Sequence, residues 1–179
     1  MWELICHHFY CWGTIAADRS PWGSNGQSYG VQPLTGHIGL HFSGPQSRIV
    51  IPPTQPWLVL TGIRVEIVAR LADTEGWLID GGGSFGMYLN RGLLIAHGFQ
   101  RDVINTYASS LSLPIDRLVR LTFEHNGFNL MALFIDDAVA AMQPILHAIP
   151  GVGPQGVTIG NDSGTFGGQL RGDIESVKV

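Results

Sequence analysis

The sequence predicts an all-β domain, a two-sheet antiparallel β-sandwich, on three observations. Apolar and polar residues alternate with period two in segment after segment. These segments are short, and Gly, Asn, Asp and Pro separate them at roughly 8–12-residue spacing, as in sandwiches and barrels. The 24 glycines and 10 prolines are dispersed without a repeat, so they read as turn punctuation rather than linker or collagen.

The clearest strand is residues 63–71. There Ile63, Val65, Ile67, Ala69 and Leu71 alternate with Arg64, Glu66, Val68 and Arg70, one face for a core and one for water. Residues 85–89 and 93–97 flank Asn90-Arg91-Gly92, a hairpin. Residues 118–123 and 130–135 flank His125-Asn126-Gly127, a second hairpin, and Asp136-Asp137 turns the chain into another strand at 138–142. Residues 174–179 form a closing strand. Residues 2–12 read as one further strand, with more large apolar side chains than one buried face requires. Gly81-Gly82-Gly83 lies between two strands; with no helix after it, it is a bulge or turn and not a phosphate loop. The one helix candidate is short, residues 102–110, a stretch that a loop also fits. No repeat or linker interrupts residues 1–179, which are read as a single domain, large enough to bury roughly 70% of its unfolded surface.

Composition excludes several classes. Charged residues are 13% of the chain, too few for disorder, and the net charge of −4 comes without a basic patch that would support nucleic-acid binding. No stretch approaches the ~18 apolar residues of a membrane span, and the first residues lack the basic and apolar regions of a signal peptide. The expectation is a chain made in the cytosol and not inserted in a membrane. There are nine arginines and one lysine, Lys178. Arginine is the cation favoured at protein contacts, so this bias suits a surface that meets a partner; codon bias explains it equally well. Cys6 and Cys11 on one strand point to opposite faces and cannot bridge, and His7 and His8 between them diverge, which disfavours a zinc site.

From about Gly39 to Val179 the order of motifs resembles the laminin-G-like, concanavalin A-like lectin/glucanase domains. Leu40-His41-Phe42-Ser43-Gly44 with Ile49-Val50-Ile51-Pro52 is similar to the family's "L-x-F-x-G … V-x-V-P". Ser84-Phe85-Gly86-Met87-Tyr88-Leu89 looks like "S-Y-G-L-Y-L", and Leu133-Phe134-Ile135-Asp136-Asp137 like "L-Y-V-D-G". Thr158-Ile159-Gly160-Asn161 and Gly172-Asp173-Ile174-Glu175-Ser176-Val177 resemble "T-I-G-N … G-Y-I-D-E-V". The N-terminal part matches only at Asp18-Arg19-Ser20 and Asn25-Gly26, similar to "D-x-S-G-N-G-N". Asp137 stands where the family has a turn glycine. The resemblance implies a concanavalin A-like jelly roll.

Glucanases of this fold carry acidic residues in the pattern E-x-D-x-x-E on one strand, because glycoside hydrolysis needs two carboxylates held ~5–9.5 Å apart. No strand here has that pattern. Asp73 and Glu75 have the spacing but fall in a loop, and Asp136 and Asp137 are adjacent at a turn. The sequence therefore predicts no catalysis. The resemblance places a calcium ion at Asp18, Asn25 and Glu175; the residues alone fit equally a metal-free loop held by an Asx-turn at Asp18. Trp22, Trp77 and Tyr88 near loops are candidates for stacking on a sugar ring, Trp22 foremost because it lies in a Gly/Ser/Asn loop; packing is the alternative for each. The remaining histidines are scattered. The function expected is a non-catalytic module that binds a glycan or protein surface. The alternative is a structural subunit of a larger assembly such as a phage virion. In either case the chain is expected to act as a homo-oligomer or within an assembly, with contacts through residues 2–12.

Overall fold

The computed structural model describes residues 6–8, 11–12, 15–18, 20–21, 23–36, 38–54, 57–100, 103–145, 148–164 and 168–179, with backbone only at 6–8, 11–12, 15, 99–100 and 103–110. Two antiparallel sheets face each other. The first contains, in spatial order, β15 (Ala138–Pro144), β14 (Leu130–Ile135), β13 (Leu118–His125), β8 (Ile63–Leu71), β17 (Gly172–Lys178), β6 (Leu40–Phe42) and β5 (Val31–Pro33), and β1 (Cys6–His8) also pairs with β17. The second runs β12 (Val103–Ser112), β11 (Leu93–Gln100), β10 (Phe85–Asn90), β9 (Gly76–Asp80), β16 (Val157–Ile159), β7 (Arg48–Ile51), β4 (Gly26–Tyr29), β3 (Ile15–Ala16) and β2 (Cys11–Trp12). This is the expected all-β sandwich.

The period-two pattern sets which face is buried. On β8, Ile63, Val65, Ile67, Ala69 and Leu71 enter the core, while Arg64 and Arg70 are exposed and Glu66 half-buried. Val119, Leu121 and Phe123 of β13 join them in the same core. On the outer face, Arg64 ion-pairs with Glu124 across the β8–β13 ladder and Lys178 approaches Glu66 from β17.

Turn chemistry sets the registers. Arg91 and Gly92 have φ of 51° and 78°, and Asp136 and Asp137 have 49° and 67°. Two consecutive left-handed residues make the tight turn whose twist matches that of paired strands. Gly82 and Gly83 supply positive φ between β9 and β10, so the glycine run is a turn within a hairpin.

Two expectations need correction. Residues 103–112 are not helical; they form β12, paired along its length with β11. Val103, Ile104, Thr106 and Tyr107 favour strand, and the ladder of β11 overrides the weak helical reading. Residues 2–12 are not one strand either. β1 lies in one sheet and β2 in the other, so the chain changes sheets between His8 and Cys11 and the two cysteines belong to opposite layers. Apolar residues at both parities conceal that crossover. Trp2, Phe9 and the proposed contact surface on them lie outside the described residues.

Candidate functional site

The site is built by a slip in the β9–β10 ladder. Met87 pairs with Ile79, but Tyr88 pairs with Trp77, leaving Leu78 as an extra residue on β9. A bulge of this kind re-aims side chains. Leu78 and Ile79 both enter the core, as does Met87, while Trp77 and Tyr88 turn to the outer face. Their rings are tilted by 33° with centroids 4.7 Å apart, and both are half-buried.

His97, on β11, completes the cluster, edge-on to Trp77 at 5.3 Å. Its cross-strand neighbour is Gly86, and only a glycine fits there. A Cβ on Gly86 would stand 2.5 Å from His97 Nε2 and 2.7 Å from Trp77 Cζ3. Burial pushes the His97 pKa down from its ordinary 6.5 to about 4, although Asp80 nearby acts in the opposite direction. The imidazole is therefore neutral at physiological pH. Asp80 is itself buried and accepts hydrogen bonds from Gly82 N–H, Ser163 N–H and Ser163 Oγ–H. Burial also raises the Tyr88 pKa, which keeps the phenol protonated.

Beside the aromatic pair lies an open groove of about 380 Å³. Its rim carries Asp73, Glu75, Asn90, Gln169 and Arg171. The second wall is held against Trp77 by the hydrogen bond from Trp77 N–H to Gly168 O, 2.7 Å. Among the described residues, the side chains of Glu75, Asn90, Gln169 and Arg171 form no hydrogen bond or ion pair with the protein, so their polar atoms are available to a ligand. Asp73 and Glu75 are the carboxylates of this groove.

Of the aromatic candidates, Trp77 and Tyr88 come together here. Trp22 lies outside the described residues. Trp57, also near a loop, is fully buried in the core. Gly86 and His97 were not visible as site residues in the sequence; both depend on cross-strand register, and Gly86 fell inside a run read only as strand.

Of the calcium candidates, Asp18 and Asn25 share one loop. Asp18 Oδ1 accepts Ser20 N–H at 2.8 Å, and its Oδ2 accepts Ser24 N–H and Ser20 Oγ–H, both at 2.6 Å. Asn25 Oδ1 accepts Asp18 N–H at 2.9 Å. These bonds hold the loop as a hydrogen-bonded turn without a metal. Glu175 sits on β17 in the other sheet, its Cα against Gly39. No cluster of three or more His, Cys, Asp or Glu converges among the described residues.

No family model matches the chain, and no curated protein matches it in sequence. Solved structures do match. The binding domain of Paraclostridial mosquitocidal protein 1 aligns with a TM-score of 0.74 at 15% identity, over 98% of this chain and 48% of that one. The likeness shows a shared β-sandwich fold. The binding domain of botulinum neurotoxin DC, solved with rat synaptotagmin II, gives 0.74 at 10% identity, over 98% and 47%. A structure of botulinum neurotoxin type C, whose cell entry depends on two ganglioside molecules, gives 0.70 at 10% identity, over 99% and 47%. The chain spans about half the length of these structures.

Proposed function

We propose that this chain is a non-catalytic binding module that takes a glycan in the groove beside Trp77 and Tyr88. The observation that carries this reading is the outward-turned aromatic pair on a polar rim where Glu75, Asn90, Gln169 and Arg171 are not committed elsewhere. Aromatic faces stack on the apolar face of a sugar ring, while amide, carboxylate and guanidinium groups at the edge bond its hydroxyls. The similar structures support the class of partner, a cell-surface glycan or protein, since one was solved with synaptotagmin II and another depends on gangliosides. These are receptor-binding domains, so they lend nothing to a virion role.

A glycan array with neutral and sialylated oligosaccharides tests the reading, followed by titration of the best ligand. Trp77→Ala and Tyr88→Ala should each weaken binding about tenfold or more, a loss of ~1.4 kcal/mol or above. Arg171→Ala should weaken acidic ligands selectively. An array with no ligand, or one whose ligands bind both aromatic variants unchanged, rejects this groove as the site.

A further inference from the structure

Asparagine or aspartate precedes glycine at three places, Asn25-Gly26, Asp80-Gly81 and Asn126-Gly127. Such pairs carry a latent reaction: the glycine nitrogen can attack the side-chain carbonyl carbon before it, because no Cβ crowds the approach. The fold treats the three differently. Gly26 is buried in β4, paired with Ala16. Asp80 is buried as well, and Gly81 N–H donates to Phe85 O at 2.8 Å. Asn126 is exposed in the turn between β13 and β14, open to water.

The groups that this reaction needs stand around Asn126. The nucleophile is Gly127 N, whose N–H donates to His125 Nδ1 at 2.9 Å. His125 is buried, flanked in the ladders by Ile63 and Met131, and a Cβ on Gly98 would stand 3.3 Å from its Cδ2. Burial in these apolar surroundings lowers its pKa, so the imidazole is neutral and its Nδ1 turns a lone pair toward Gly127. On the other side, Asn126 Oδ1 accepts Phe128 N–H at 3.0 Å, Asn129 N–H at 2.9 Å and Leu130 N–H at 3.0 Å. Backbone donors at such distances stabilise an oxygen on which negative charge develops. Asn126 Nδ2, the leaving nitrogen, donates to Asn129 Oδ1 at 2.8 Å.

We infer that Asn126 is a self-modification site, converted through a succinimide to aspartate and isoaspartate, with His125 as the base and the three amides as the oxyanion hole. Gly127 N forms a bond to Asn126 Cγ and its proton passes to His125 Nδ1. Charge gathers on Asn126 Oδ1, where the three N–H groups already point. The tetrahedral centre collapses by breaking the Cγ–Nδ2 bond. The proton held on His125 returns to Nδ2, which leaves as ammonia, and a five-membered succinimide remains. Water adds to either ring carbonyl and opens the ring to aspartate or isoaspartate. One water is consumed and one ammonia released, with no oxidant or reductant. Either product places a carboxylate next to Phe128. Isoaspartate also lengthens the main chain by one carbon, where Gly127 lies against the Thr61 carbonyl. The conversion therefore alters this turn as the protein ages.

The test incubates the full chain at neutral pH, folded and in urea. Each Asn-Gly peptide is then quantified by mass after digestion, and isoaspartate by its methylation with an isoaspartyl methyltransferase. Asn126 should convert about tenfold or more faster in the fold than in urea. Asn25, whose glycine is held in β4, should convert more slowly in the fold than in urea. His125→Asn keeps a hydrogen-bond acceptor but no base. It should slow conversion of Asn126 in the folded chain by about tenfold or more and leave the rate in urea unchanged. The comparison of folded with unfolded parent needs no variant, so it decides even where His125→Asn does not fold. The inference is overturned if Asn126 converts no faster in the fold than in urea, since the turn then protects it. It is also overturned if folded His125→Asn converts at the parent's rate.

Discussion

The rings of Trp77 and Tyr88 lie 4.7 Å apart because they are paired across the one slip in the β9–β10 ladder. A ladder in perfect register would present Leu78 outward in place of Trp77. The groove therefore depends on backbone irregularity as much as on the two aromatics, and neighbouring positions with no ligand contact should control it.

Gly86 is the most sensitive of these. Gly86→Ala places a methyl group 2.5 Å from His97 Nε2 and 2.7 Å from Trp77 Cζ3. Relief requires both rings to shift. Overpacking of this kind should cost about 1–3 kcal/mol in a denaturant melt and displace Trp77, weakening glycan binding beyond the stability loss.

His97 makes stability pH-dependent. Its pKa in the fold, about 4, lies below the ordinary 6.5, first through burial. The unfolded chain takes up a proton as pH falls past 6.5, while the folded chain resists until about 4. The contribution of His97 is thus present above pH 6.5 and lost as pH falls toward 4, by something on the order of 3 kcal/mol. His125, also lowered by burial, acts in the same sense. The measurement is the difference between parent and His97→Asn in urea melts at neutral and mildly acid pH; equal pH dependence in the two would refute the assignment.

The Asp136-Asp137 turn carries backbone strain. Asp137 holds φ 67°, a conformation glycine adopts without cost, and gives in return an exposed ion pair with Arg120 at 2.9 Å. Exposed pairs are worth ~0–1 kcal/mol, and left-handed backbone costs an L-residue about as much or more. Asp137→Gly should leave the melting temperature unchanged or raise it by a few degrees. Asp137→Val, β-branched in the same conformation, should lower it.

The Asp18 loop gives the calcium test. Three donors already bond the Asp18 carboxylate and hold the loop without a metal, so a calcium titration is expected to leave the melting curve where it is. Asp18→Ala should lower stability by about 1–3 kcal/mol, because Ser20 and Ser24 N–H lose their acceptor. A calcium-dependent rise in melting temperature, abolished by Asp18→Ala, would restore the metal reading.

Much of the fold is legible because two local codes agree. Ile63, Val65 and Ile67 announce a half-buried strand, and Asn90-Arg91-Gly92 and Asp136-Asp137 announce the tight turns of the β10–β11 and β14–β15 hairpins. β12 escapes because Ser and Ala dominate its C-terminal half and its partner β11 holds it extended. The site is harder still. Nothing in Gly76-Trp77-Leu78-Ile79-Asp80 signals the bulge that exposes Trp77, and nothing local to Trp57, in a stretch rich in proline, signals that it fills the core.

β17 bears on how the chain is made. It lies between β8 on one side and β6 and β1 on the other, although it is the last strand in the sequence. A nascent polypeptide that ends before Gly172 therefore lacks the middle of a layer rather than its margin. While it remains on the ribosome, β8 exposes an unpaired edge and the β5–β6 hairpin has no neighbour to dock on. Such long-range closure is slow, and the waiting edge is open to mispairing with other chains. Release of residues 172–178 from the exit tunnel is the step that commits the first sheet to its native order.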